Sequence, residues 1–145
     1  MREFTRRDFM RASVAAAPFF IGGCTGVGPV PARRPAPSER INLAVIGCGG
    51  MGRANMNQFL QDARVQVTLV CDPIFGPTED HDYPSNGRNV FRKAVDDFYG
   101  TAGCRMTADW REVATAPTID AVLIATPDYW HAIMAIGCMK AGKHV

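Results

Sequence analysis

The sequence predicts an α/β fold, a doubly wound parallel sheet, from three observations. Ile41 to Ile46 and Val65 to Cys71 are short apolar runs rich in branched residues, the pattern of strands covered on both faces. A glycine cluster, Gly47 to Gly52, and then apolar residues at helical spacing separate them. A third run, Ile119 to Ala125, follows another helical stretch, and strands that alternate with helices pair in parallel.

Composition bounds the possibilities. With 145 residues, 47% hydrophobic and 21% charged, the chain has the make-up of one ordinary globular domain, which argues against a disulfide scaffold, long disorder or a second domain. The formal charge of +2 is local, because four arginines face two acids before Cys24 and the remainder is neutral. That balance leaves no basic patch for nucleic acid, so no nucleic-acid partner is expected.

The chain opens with a charged stretch, Met1 to Arg11, then an apolar run, Ala12 to Ile21, then Gly22 and Gly23, which is signal-peptide anatomy. The apolar run is too short for a transmembrane helix, which needs roughly 20 residues. Thr5-Arg6-Arg7-Asp8-Phe9-Met10-Arg11 resembles the twin-arginine export signal, in which a polar residue, two arginines, a variable residue, two hydrophobic residues and a basic one follow in order. Ile21-Gly22-Gly23-Cys24 resembles a lipoprotein processing box, with isoleucine where leucine is usual. A lipid anchor at Cys24 and ordinary cleavage nearby are the two outcomes. The expectation is a leader over residues 1–24, engaging the twin-arginine export machinery and directing the protein to the periplasm or cell envelope. Pro29, Pro31, Pro35 and Pro37 make residues 25–39 an extended linker, and the folded domain runs over 40–145.

Strand, glycine turn, helix, strand and acid then follow in order. Gly47 permits the tight turn off the strand, Gly49 lets backbone approach a pyrophosphate, and Gly52 lets the helix pack closely. Cys48, Gly50 and Met51 complete the turn, whose free N–H groups and positive helix end face the phosphates. Met56, Phe59, Leu60 and Ala63 form the inner side of the helix. Asp72, twenty residues after Gly52, is placed to accept hydrogen bonds from the adenosine ribose. A carboxylate there repels a 2′-phosphate, which favours NAD. Arg88, Arg92 and Lys93 offer positive charge downstream, which makes NADP the alternative.

Residues 72–87 form a polar stretch with Pro73, Pro77 and Pro84, expected to pass near the adenine end. Asp80-His81-Asp82 within it is read as a solvated loop, because three adjacent loop residues do not all point at one ion. Val90, Phe91, Ala94, Val95, Phe98 and Tyr99 recur at helical spacing, with the aromatics expected in the core. Cys104 to Thr107 reads as a short strand and Trp110 to Ala114 as a short helix. After Ile119 to Ala125 a helix from Trp130 to Ala141 is apolar nearly all round and is expected to be well buried. Gly142 ends it, and His144-Val145 opens a further strand.

Ligands of such sheets bind beyond the carboxyl ends of the strands. Thr126, Pro127, Asp128 and His131 lie just past such an end and are candidates for the nicotinamide side. His131 has a second reading, a helix-start histidine packed on the loop. Cys48, Cys71, Cys104 and Cys138 form no CxxC pair, so free buried thiols are expected and a metal is not.

Ala44 to Gly52, Cys71-Asp72-Pro73, Ala125-Thr126-Pro127-Asp128 with His131, and Lys140 to Val145 together resemble the glucose-fructose oxidoreductase, inositol dehydrogenase and rhizopine-catabolism (Gfo/Idh/MocA) family. The resemblance implies an N-terminal Rossmann domain, here incomplete, a second α/β substrate domain that is missing, and hydride exchange between NAD(P) and a sugar or cyclic polyol. It further implies that a glutamate-lysine-proline motif follows just past Val145, so that the chain is the first part of a longer protein and no catalytic residue lies within it. The complete protein is expected to be a homo-oligomer. Two other readings are an NAD-dependent glycoside hydrolase of the same family and a non-catalytic nucleotide-binding fragment.

Overall fold

The computed structural model describes residue 36, residues 39–78 and residues 85–145. The leader, Cys24, nearly all of the linker and the Asp80-His81-Asp82 sequence lie outside the described residues. Four parallel strands, β1 (Ile41–Ile46), β2 (Val65–Cys71), β3 (Arg105–Thr107) and β4 (Ala121–Ile124), stand in the order β3-β2-β1-β4. The helices between and after them are α1 (Gly50–Gln61), α2 (Gly87–Tyr99), α3 (Trp110–Thr115) and α4 (Asp128–Lys140).

Side chains of a strand point alternately to its two faces, and both faces of this sheet are covered. Leu43 and Val45 of β1 join Met56 and Leu60 of α1 and Phe91 and Val95 of α2 in one core. Ala44 and Ile46 join Val113 of α3 and Met134 and Cys138 of α4 in the other. The chain winds from β1 to β3 with α1 and α2 on one face, then crosses back to β4 with α3 and α4 on the other. The expected doubly wound sheet is therefore present, with its direction reversing between β1 and β4.

Strand β2 departs from simple alternation. Leu43 pairs with Val67 but Ala44 pairs with Leu69, so Thr68 is an extra residue at an irregularity in the ladder. The insertion shifts the alternation by one and places Val67 and Val70 together in the α1–α2 core, with Leu69 and Cys71 opposite. The Thr68 hydroxyl is buried without a hydrogen-bond partner at this point.

Three packing expectations are revised. Phe91 is fully buried, but Phe98, about two turns further along α2, is 42% exposed. Phe59 of α1 is likewise on the surface, while Met56 and Leu60 carry the contact. Helix α4 buries only Met134 and Cys138, leaving Tyr129, Trp130, Ile133, Ile136 and Met139 exposed. Its apolar composition promised all-round burial, but it packs on a single face of the edge strand β4, and no described element covers its outer side. An apolar cleft of about 470 Å³ runs along β4, lined by Phe59, Ala121 and Leu123 and reaching Ala135 of α4. His144 makes one parallel bridge with Ala121, the start of the strand expected there.

The contrast between the two α2 phenylalanines is testable by urea unfolding. Phe91→Ala is expected to cost about 3–5 kcal/mol, the range for deleting a buried aromatic. Phe98→Ala is expected to cost about 1 kcal/mol or less, and equal losses would contradict the assigned core.

Candidate dinucleotide site

Backbone bonds tie the carboxyl ends of the four strands into one ledge. Gly47 N–H donates to Cys71 O (2.8 Å), Ala125 N–H to Ile46 O (2.8 Å) and Asp72 N–H to Thr107 O (3.2 Å). The glycine turn rises from this ledge where the sheet reverses direction. Gly47 has φ +99°, and a Cβ there would stand 2.5 Å from Ala125 O and 3.0 Å from Thr126 N. Only glycine lets β1 turn this close to the end of β4.

Gly52 serves a related purpose, with a refinement of the expected contact. A Cβ on it would overlap the carbonyl oxygen of Gly47, so the missing side chain seats α1 on the turn itself. Gly49 is the N-cap in an extended conformation and supplies no side-chain cap. Gly50 has open space around it, and Met51 is 69% exposed. The N–H groups of Met51 and Gly52 find no acceptor among the described residues. Orphan donors at a helix start, with the dipole behind them, suit an anion such as pyrophosphate.

Asp72 stands one residue past β2, as the spacing demands, and is buried. Its Oδ2 accepts from Cys48 N–H (2.7 Å) and its Oδ1 from Ile74 N–H (2.8 Å). The carboxylate thus ties the glycine turn to the end of β2. A carboxylate offers about four acceptor sites, and two remain after these short bonds.

The downstream cations are largely committed within the protein. Arg88 Nη1 donates to the carbonyls of Asp72 (2.9 Å) and Pro73 (2.8 Å), with its guanidinium over the Phe75 ring. Lys93 pairs with Asp97 at 2.9 Å on the outside of α2. Arg92 reaches Asn89 at 3.5 Å, and its Nε is buried without a hydrogen-bond partner.

Past β4, Thr126 sits beside the turn next to the Gly47–Ala125 contact, and Pro127, Asp128 and His131 continue from it into α4. The Thr126 hydroxyl points to Met134 Sδ (3.8 Å), and Pro127 is the N-cap of α4. Asp128 is an exposed acid in the first turn of α4. His131 is exposed, and its Nε2 donates to Thr126 O at 2.7 Å, the packing of a helix-start histidine. Its Nδ1 makes no hydrogen bond to the described residues, so this tie leaves one ring nitrogen available.

Sequence reading missed Ser85 and Asn86. Asn86 N–H donates to Cys48 O (2.9 Å), and Ser85 forms an antiparallel bridge with Gly49. The polar connection after β2 therefore returns to the glycine turn. The sequence of this connection carries no apolar period to betray that return.

All four described cysteines are buried free thiols. Burial, with Asp72 adding repulsion, pushes the Cys48 thiol far above its usual range. Burial pushes Cys71 and Cys104 up to about 12 and raises Cys138 as well. No cluster of potential metal ligands occurs among the described residues.

A parallel doubly wound sheet with a glycine turn at its reversal point, free helix N–H groups and an acid ending the second strand defines a dinucleotide-binding protein. Residues 41–145 match the oxidoreductase family with an NAD-binding Rossmann fold, and the chain belongs to this Gfo/Idh/MocA family. It is 29% identical to a glycosyl hydrolase family 109 protein of Saccharopolyspora erythraea, over 98% of this chain and 32% of the relative. It is 30% identical to levoglucosan dehydrogenase of Pseudarthrobacter phenanthrenivorans, over 74% of this chain and 25% of the relative. Among solved structures, GenD2 from gentamicin A biosynthesis in complex with NAD is 28% identical with a TM-score of 0.53, covering 80% of this chain and 28% of that one. Biliverdin reductase of Synechocystis with biliverdin and NADP+ is 26% identical with a TM-score of 0.51, covering 72% and 28%. The chain thus spans about a third or less of these proteins' lengths.

Because alkylation requires the thiolate and all four pKa shifts are upward, Cys48, Cys71, Cys104 and Cys138 are expected to resist iodoacetamide at neutral pH. Denaturant is expected to release all four. Mass spectrometry after labelling reads both states, and rapid modification of any of the four in native protein would contradict its burial.

Proposed function

We propose that this chain is the NAD-holding N-terminal part of an exported oxidoreductase that exchanges hydride between NAD and a sugar or cyclic polyol. The observation that carries the cofactor reading is the buried Asp72 carboxylate bonded to the Cys48 N–H of the glycine turn. It fixes negative charge where a 2′-phosphate would have to sit. Arg88, the first arginine or lysine after Asp72, is bonded to the carbonyls of Asp72 and Pro73.

When bound, the nicotinamide supplies the hydride chemistry. The residues of this chain hold and orient it: the glycine turn and α1 N–H groups receive the pyrophosphate, Asp72 the ribose, and the Thr126–His131 segment flanks the nicotinamide end. The proton-transferring groups are expected in the glutamate-lysine-proline motif and the substrate domain of the complete protein. The levoglucosan dehydrogenase relative supports a carbohydrate-like substrate. The twin-arginine-like leader supports export, and that route carries folded proteins, so cofactor would be loaded before crossing.

A second reading is favoured by the glycosyl hydrolase family 109 relative. In such an enzyme oxidation, elimination and re-reduction leave no net NADH. Turnover of a glycoside by the complete protein without NADH accumulation would establish that reading over net oxidation.

The cofactor reading is tested by titrating NAD and NADP into purified protein. Saturable NAD binding is expected, with NADP at least about tenfold weaker. Asp72→Ala is expected to weaken NAD about 10- to 100-fold, the equivalent of losing hydrogen bonds to a charged group. Absence of saturable binding, or tighter binding of NADP, would overturn it.

A further inference from the structure

We infer that Ser85 is a second ribose-reading residue of the dinucleotide site, held beside Asp72 by the returning connection. This rests on the dinucleotide reading above and adds a specific residue to it.

The connection is fixed where it meets the turn. Asn86 N–H donates to Cys48 O at 2.9 Å, and Ser85 bridges Gly49. Thr78 N–H donates to Ser85 O at 3.0 Å, and Ser85 N–H donates to Thr78 Oγ1 at 3.3 Å. Ser85 is thus positioned from both sides.

Its hydroxyl is only weakly engaged. Gly87 N–H occupies one lone pair at 3.0 Å. The single proton has two candidate acceptors, Cys48 O at 3.4 Å and Asp72 Oδ2 at 3.5 Å. Both distances are long for a hydroxyl donor, whose bonds centre near about 2.7–2.8 Å. One lone pair is left over. Asp72 likewise keeps acceptor capacity after its bonds from Cys48 and Ile74. Two neighbouring oxygens, each with a spare lone pair and one with a redirectable proton, form a pair of contacts suited to a vicinal diol. The adenosine ribose of NAD carries such a diol, and a 2′-phosphate destroys it.

Two consequences follow. Ser85 strengthens binding of NAD, and it does so through a ribose hydroxyl rather than through the shape of the turn. The test is a set of dissociation constants for NAD, 2′-deoxyadenosine NAD and 3′-deoxyadenosine NAD, measured on the wild-type protein and on Ser85→Ala, with thermal unfolding as a folding control. Ser85→Ala is expected to weaken NAD about three- to tenfold and to lose that penalty with one of the two deoxy analogues. Ser85→Cys, close in size but a poor hydrogen-bonding group, is expected to give the same pattern and serves if the alanine variant does not fold. An unchanged NAD affinity overturns the inference, as does an equal penalty on all three ligands. In either case wild-type binding leaves the dinucleotide reading standing. Wild-type protein that binds no NAD removes both.

Discussion

The close approach of β1 to the end of β4 governs the rest of the site. A Cβ on Gly47 would lie 2.5 Å from Ala125 O, so the turn exists only because that atom is missing. This contact sits where the sheet reverses direction, the place at which α1 and α4 diverge to opposite faces and leave the strand ends open. Gly52 then brings α1 down on the Gly47 carbonyl. Two absent side chains therefore determine where the free helix N–H groups stand. Neither glycine contributes a side chain, yet any larger residue at either place would displace these donors.

Asp72 shows how a buried acid is kept in place at low cost. A buried carboxylate is unfavourable unless its oxygens are hydrogen-bonded. Bonds of 2.7 and 2.8 Å from Cys48 and Ile74 N–H groups supply that compensation. The same bonds couple the acid to the turn, so the end of β2 and the start of α1 are held together. Arg88 adds a third tie by binding the Asp72 and Pro73 carbonyls and covering the Phe75 ring. A positive charge close to a ribose site need not be a phosphate ligand, and its hydrogen-bond partners decide its role.

Most of the sheet and the turn were legible in the sequence because they rest on local rules. Val45, Ile46 and Val70 announce strands, Gly47 and Gly52 announce a turn, and Phe91 and Val95 mark the inner side of α2. What escaped depends on relations between distant residues. The extra residue at Thr68 becomes visible only in the pairing of β2 with β1. Exposure of Ile133 and Ile136 depends on what stands beyond α4, whereas apolar composition alone reports only the capacity to be covered. The pairing of Ser85 with Gly49 joins residues 36 apart in sequence, with no apolar period before Ser85 to mark it.

The uncovered surface around β4 and the well-packed glycine turn reflect different kinds of constraint. At the turn, backbone approaches backbone, and bonds such as Ala125 N–H to Ile46 O close locally. At the edge, Ala121 and Leu123 line an open apolar cleft along β4, while α4 leaves Tyr129, Ile133 and Met139 exposed. Contiguous apolar surface of this kind favours association, since burying it removes hydrocarbon from water. The dinucleotide turn draws its shape from contacts already inside the chain. On the outer edge of β4 the Ala121–His144 bridge is the strand pairing that the described residues provide. The shape of the glycine turn is thereby set independently of what pairs with that edge.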